Sequence, residues 1–236
     1  MEKQSIKLSI VIPVYNEIIH LPLVLKKLDE ADLPWEKEII IIDDYSTDGT
    51  REYLDTLDRE RYIIHMKEAN GGKGSALREG FRRMTGDLVI IQDADLEYNI
   101  DDYASLIEPI VRGESDVVYG SRFLDMDRFE SPYPLHIINN KMITGVSNLF
   151  TGLRLTDMET CYKVFRRDVL DSFHYKLESN RFGIEPEITH HLARGGWKIK
   201  EIPVSYKART FEEGKKIRMR DGFAALWHII RFHLTK

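Results

Sequence analysis

The sequence predicts an α/β fold built on a mostly parallel sheet, and three observations lead there. Short runs rich in Ile and Val recur along the first half, helix-like segments separate them, and unusual polar clusters follow the runs. Strands are expected at Leu8 to Pro13, Glu38 to Asp43, Tyr62 to His65, Asp87 to Gln92 and Asp116 to Tyr119, each a short apolar run ending near polar residues. The intervening helices are expected over Ile18 to Ala31, Thr50 to Arg59, Gly72 to Met84 and Ile100 to Gly113. Such alternation makes successive strands parallel, because each helix carries the chain back across the sheet. After about residue 125 the alternation stops. A Pro-containing stretch from Glu130 to Pro134 then leads into a helix through Phe150.

Composition narrows the class. With 42% hydrophobic and 31% charged residues, the 236-residue chain can bury a sizeable core under a solvated surface, and no linker or repeat divides it, so a single domain over 1–236 is expected. A formal net charge of -5 argues against a duplex nucleic-acid binder, which needs an excess of Lys and Arg. The one cysteine, Cys161, cannot form an internal disulfide, in keeping with a reducing cytoplasm. No secretion signal is evident at the N-terminus, and no stretch of about 18 apolar residues occurs, so membrane contact is expected to be peripheral.

In open α/β sheets, ligands sit beyond the carboxyl ends of the strands, where this chain places PVYNE (13–17), DDYSTDGT (43–50), NGGKG (70–74) and DADLEY (93–98). Asp93 and Asp95, one residue apart at a strand end, project to the same side and can hold Mg²⁺ or Mn²⁺ against a nucleotide diphosphate. Tyr15 can stack on a base, and Asp44 can accept a hydrogen bond from a base N–H. Asp48, Gly49 and Thr50 read as a turn and helix cap. The NGGKG segment opens a helix, so its backbone N–H groups and Lys73 can approach a phosphate or sugar; it lacks the spacing of a Walker A loop. Arg122 follows a strand as part of GSR (120–122), where a guanidinium can grip a phosphate.

In this order the motifs resemble glycosyltransferase family 2, and within it the polyprenyl-phosphate sugar synthases typified by dolichyl-phosphate mannose synthase. The resemblance covers nearly the whole chain and implies a GT-A (Rossmann-like) fold, with a nucleotide-sugar-binding half over 1–122 and an acceptor-side half with amphipathic helices over 123–236. It implies that Pro13, Tyr15, Glu17 and Asp44 surround the nucleoside, and that Asp93 and Asp95 serve the ribose, diphosphate and metal. Glu97, where the mannose synthases often carry Gln, would complete the metal shell. Arg122 would lie near an acceptor phosphate. Asp157 and Glu159 fall where the family places acidic residues near sugar and acceptor, either being a candidate general base; a helix N-cap with first-turn acids is the structural alternative. Arg209, Lys215 and Lys216 match a late basic loop that would close over the diphosphates.

The expected activity is inverting transfer of one sugar from GDP-mannose or a UDP-hexose to a polyprenyl phosphate. With only Gln4 and Gln92 present, the Gln-x-x-Arg-Trp signature of processive synthases cannot occur downstream. A soluble transferase acting on a hydroxyl acceptor and a non-catalytic nucleotide-sugar-binding module are the alternatives. Phe223, Leu226, Trp227, Ile230 and Leu234 follow helical spacing behind Lys215, Lys216, Arg218 and Arg220, the pattern of an interfacial helix or of one docked on a membrane-protein partner, with packing on its own domain as the structural alternative. The helix from Leu135 to Phe150 is a second candidate. His190 and His191, adjacent on a helix, point about 100° apart and are expected to be ordinary helix residues.

Overall fold

The computed structural model describes residues 6–210 and 226–233. The first half alternates as expected: β1 (Lys7–Val14), α1 (Leu21–Glu30), β2 (Glu36–Asp43), α2 (Thr50–Asp55), β3 (Tyr62–Met66), α3 (Lys73–Phe81), β4 (Leu88–Ile91), α4 (Tyr103–Val111) and β5 (Val117–Ser121). The second half adds β6 (Phe129–Glu130), α5 (Pro134–Thr151), β7 (Lys163–Arg166), α6 (Arg167–Asp171), α7 (Ile184–Gly195), β8 (Ile199–Pro203) and β9 (Tyr206–Lys207).

One seven-stranded sheet runs in the order β3-β2-β1-β4-β7-β5-β8, and β6 and β9 pair separately. The strands β1, β2, β3 and β4 are mutually parallel, and β8 is parallel to β5. The exception is β7, which runs antiparallel between β4 and β5. Its insertion separates two strands that successive βα units would have left adjacent. Four residues carry too little periodicity to announce a strand, yet Val164 and Phe165 are completely buried in the sheet.

The central strands are apolar on both faces because both are covered; Ile10, Val11 and Ile12 in β1 and Ile40, Ile41 and Ile42 in β2 are fully buried. Helix α3 packs on β1 and β2 and comes close because Gly80 lacks a side chain: a Cβ there would stand 2.3 Å from Val11 Cγ1. Residues 226–233 are helical, with Ile229 and Phe232 buried and Phe232 tilted against His190 of α7, ring centroids 6.2 Å apart. His191 stacks on Phe173 at 5.5 Å, so the two histidines serve packing on different sides of α7, as expected. Phe223 and Leu234 of the terminal apolar stripe lie outside the described residues.

Candidate active site

Because β1, β2 and β4 are parallel neighbours, their carboxyl ends bring three motifs to one rim of the sheet. At each end the chain turns through a left-handed residue that is not glycine: Asn16 (φ 52°), Tyr45 (φ 68°) and Leu96 (φ 61°). Such backbone is uncommon outside glycine and persists where surrounding contacts enforce it, which singles out these three turns. The first two are cross-tied. Asn16 N–H donates to Ser46 Oγ at 2.8 Å, and Thr47 N–H to Asn16 Oδ1 at 2.7 Å. Asp48 accepts from Thr50 N–H and Ile18 N–H, both at 3.1 Å, which is the turn-forming role expected of it.

The turns border a cavity of about 440 Å³, a volume within the range of small-molecule sites. Pro13, Tyr15, Glu17, Asp44, Lys73, Asp93, Asp95, Glu97 and Arg209 all line it. The sequence reading therefore brought together residues separated by up to 196 positions, from Pro13 to Arg209 (209 minus 13). Lys215 and Lys216 lie outside the described residues.

Asp44 already has structural work. Its carboxylate accepts from Gly71 N–H at 2.9 Å, from Gly72 N–H and from Lys67 Nζ, fastening the NGGKG turn to the end of β2. These three donors occupy most of the roughly four lone-pair directions that a carboxylate offers. The glycines of that turn are needed for close approach. Gly72 has φ 88°, and a Cβ on Gly74 would lie 2.3 Å from the carbonyl oxygen of Ser179. They seat the backbone of residues 179–181 directly on the start of α3, where Ser75 N–H donates to Asn180 O at 3.0 Å.

The acidic residues outnumber the cations that face them. Arg209 reaches Glu17 Oε2 at 3.1 Å, Asp95 Oδ2 at 3.0 Å and Glu97 Oε1 at 3.8 Å. Lys73 Nζ lies 2.9 Å from Asp93 Oδ1 and 3.1 Å from Glu185 Oε1. Burial and the charges of Asp93 and Glu97 push the Asp95 carboxyl up to about 8, and Arg209 offsets this only in part. Burial acts the same way on Asp93, but Lys73 holds its carboxyl below the usual range. Glu97 also has structural partners: Oε2 accepts from Tyr206 Oη at 2.7 Å and Oε1 from Arg209 N–H at 2.8 Å, so it anchors the segment that carries Arg209. Among the described residues no three His, Cys, Asp or Glu side chains form a ready-made metal cage.

Arg122 does not line this cavity. Its Nε and Nη2 grip Asp157 Oδ2 and Oδ1 at 2.7 and 2.8 Å, and its own N–H adds a third bond to Oδ2 at 3.0 Å. The guanidinium expected near an acceptor phosphate thus commits two of its N–H groups to a fully buried partner. Asp157, a candidate general base by sequence, is fully buried and has both carboxylate oxygens on Arg122. Neither Asp157 nor Glu159 belongs to a helix start: the loop after α5 runs into β7, and the next helix begins at Arg167. Burial and the neighbouring Glu185 push the Glu159 carboxyl up to about 8, and its Oε1 is enclosed without a hydrogen-bond partner.

Sequence reasoning missed Lys67, Arg181, Phe182 and Glu185. Arg181 and Phe182 line the cavity just ahead of α7. Their only local signal is a bulky pair before a helix whose first turn carries Glu185 and Glu187, and first-turn acids ordinarily need no more explanation than the helix dipole.

Residues 9–173 match the family described as Glycosyl transferase family 2. The chain is 31% identical over 244 residues to an undecaprenyl-phosphate mannosyltransferase of Micrococcus luteus, covering 95% of this chain and 97% of that one. It is 32% identical to an undecaprenyl-phosphate 4-deoxy-4-formamido-L-arabinose transferase of Klebsiella pneumoniae, spanning 91% of this chain but 64% of the relative. The fold matches glucosyl-3-phosphoglycerate synthase of Mycobacterium tuberculosis, solved with Mn²⁺ and uridine-diphosphate-glucose, at a TM-score of 0.72 and 18% identity over 98% of this chain and 78% of that one. Strand-end motifs gathered round one acidic cavity, a family match over most of the chain and an end-to-end relative agree: this protein belongs to glycosyltransferase family 2.

Proposed function

We propose that this enzyme moves one sugar from a nucleotide-sugar donor to a polyprenyl phosphate, inverting the anomeric carbon, with Mg²⁺ or Mn²⁺ bound. The observation that carries this reading is the crowding of Glu17, Asp93, Asp95 and Glu97 on one cavity faced by Lys73 and Arg209. Hard oxygen donors in anionic excess suit a divalent cation, and Asp93 and Asp95 would hold it. When bound, that ion neutralises charge on the departing diphosphate. Tyr15 and Asp44 bind the base, while Arg209, with Lys215 and Lys216, pairs with the diphosphate.

The acceptor class is supported by the full-length likeness to the Micrococcus luteus enzyme and by the closed state of Asp157. A phosphate oxygen is already anionic and attacks without a strong base, whereas a hydroxyl needs one. Glu159, with its raised proton affinity, favours the second reading, a hydroxyl acceptor. Incubation with a panel of nucleotide sugars, Mn²⁺ and polyprenyl phosphate is expected to yield glycosylated lipid phosphate. Turnover on hydroxyl acceptors alone would establish the second reading, and donor binding without any turnover would leave a non-catalytic module.

A lipid acceptor requires a membrane surface. Among the described residues no helix is long and apolar enough to cross one. Instead α5 exposes Leu135 (64%), Ile138 (63%), Met142 (51%) and Leu149 (81%), whose spacing keeps them on one side of the helix. Phe150 at its end meets His233 of the terminal helix, ring centroids 5.0 Å apart, and that helix exposes Trp227. The two elements together form a peripheral docking face, which we place on the cytoplasmic side. Replacing Leu135, Ile138 and Met142 with Glu is expected to abolish co-sedimentation with vesicles containing anionic lipid while leaving nucleotide affinity unchanged. Undiminished sedimentation would remove α5 from the docking face.

A further inference from the structure

We infer that Glu185, on the first turn of α7, is a specificity-determining residue that accepts a hydrogen bond from a hydroxyl of the donor's sugar. The inference rests on the nucleotide-sugar reading of the cavity and concerns where the sugar ring sits within it. Glu185 stands directly behind the cavity wall. Its Oε1 lies 3.1 Å from Lys73 Nζ, and Lys73, its second partner Asp93, and Phe182 three residues upstream all line the cavity. Glu185 is 6% exposed, and its Oε2 is enclosed without a hydrogen-bond partner.

A buried carboxylate oxygen without a donor is unfavourable, so the wall is one O–H or N–H donor short at this point. The order of strands says which part of the donor arrives there. Asp44 stands at the end of β2, Glu17 just beyond β1, and Asp93 beyond β4, the strand that adjoins β7. With the base at the β2 end and the diphosphate before Asp95 and Arg209, the sugar falls on the β4 side. There Lys73, Asp93 and Glu185 offer charged hydrogen-bonding groups and Phe182 an apolar ring. Vicinal hydroxyls on a ring with apolar C–H faces match that combination of groups.

The experiment compares Glu185→Gln with the parent chain by calorimetry, using the best nucleotide sugar from the panel, its free nucleoside diphosphate, and monodeoxy analogues of the sugar. Glutamine keeps the shape but replaces one acceptor oxygen with a donor. Nucleotide-sugar affinity is expected to fall about tenfold or more, the scale of a lost hydrogen bond to a charged group, while diphosphate affinity stays within about twofold. One monodeoxy donor is expected to bind parent and variant equally, identifying the hydroxyl. Parallel loss for sugar and diphosphate would overturn the inference, because Glu185 would then act only by placing Lys73. If Glu185→Gln does not fold, Glu185→Asp, which keeps the charge and withdraws the oxygens, is judged by the same two outcomes. A parent chain that binds neither compound would refute the nucleotide-sugar reading itself.

Discussion

Asp95→Ala is expected to lower sugar transfer by at least about a hundredfold to a thousandfold, the scale of removing a group that stabilises charge in a transition state. Asp95 sits between Asp93 and Glu97 at the turn after β4, where burial and like charges raise its proton affinity. A carboxylate kept in so unfavourable a place for folding is what the proposed cation site calls for. Its removal relieves repulsion with Asp93 and Glu97, so the melting temperature of the variant is expected to equal or exceed that of the parent. Arg209 keeps Glu17 as a partner. Transfer assays across a Mn²⁺ titration, together with thermal melts, check both halves. Activity within a few-fold of the parent, with unchanged metal dependence, would falsify the assignment.

Arg122→Ala is expected to destabilise the fold by about 3–5 kcal/mol, the loss associated with removing one partner of a buried ion pair. Asp157 would be left fully buried without the guanidinium that satisfies both its oxygens. The loop from 152 to 162 would loosen with it, because Arg122 and Glu201 fasten Asp157 from two sides: Glu201 Oε1 accepts Asp157 N–H at 3.1 Å. Arg122→Lys keeps the charge but not the fork and is expected to recover only part of the loss. Replacing the pair together, Arg122→Met with Asp157→Leu, removes both buried charges and is expected to be far milder than either single change. Urea unfolding of the four chains measures this. A single variant as stable as the parent, with transfer to lipid phosphate selectively lost, would return Arg122 to the acceptor-binding role that the resemblance implies.

The sequence by itself determined the α/β class, the five strands from β1 to β5 and the rim on which ligands are expected, because apolar period and strand-end polarity are local properties of the chain. It also determined most of the cavity wall, since PVYNE, DDYST, NGGKG and DADLEY each keep their residues within one turn. Only the tertiary structure decided what those residues face. Asp44 is turned on the Gly71–Gly72 backbone, Glu97 on Tyr206 and Arg209, and Arg122 on Asp157, in pairings that cross 27 to 112 positions of sequence. The insertion of β7 between β4 and β5 likewise depended on long-range strand pairing, which four residues cannot declare. Glu185 was unreadable for the same reason: on its own helix it is an ordinary first-turn acid, and it meets Lys73 only where Gly72 and Gly74 let the 179–181 backbone settle against the start of α3. A side chain's chemistry is written in the chain, but its charge partners are set by packing, and in a buried site the partners decide which groups remain open to a ligand.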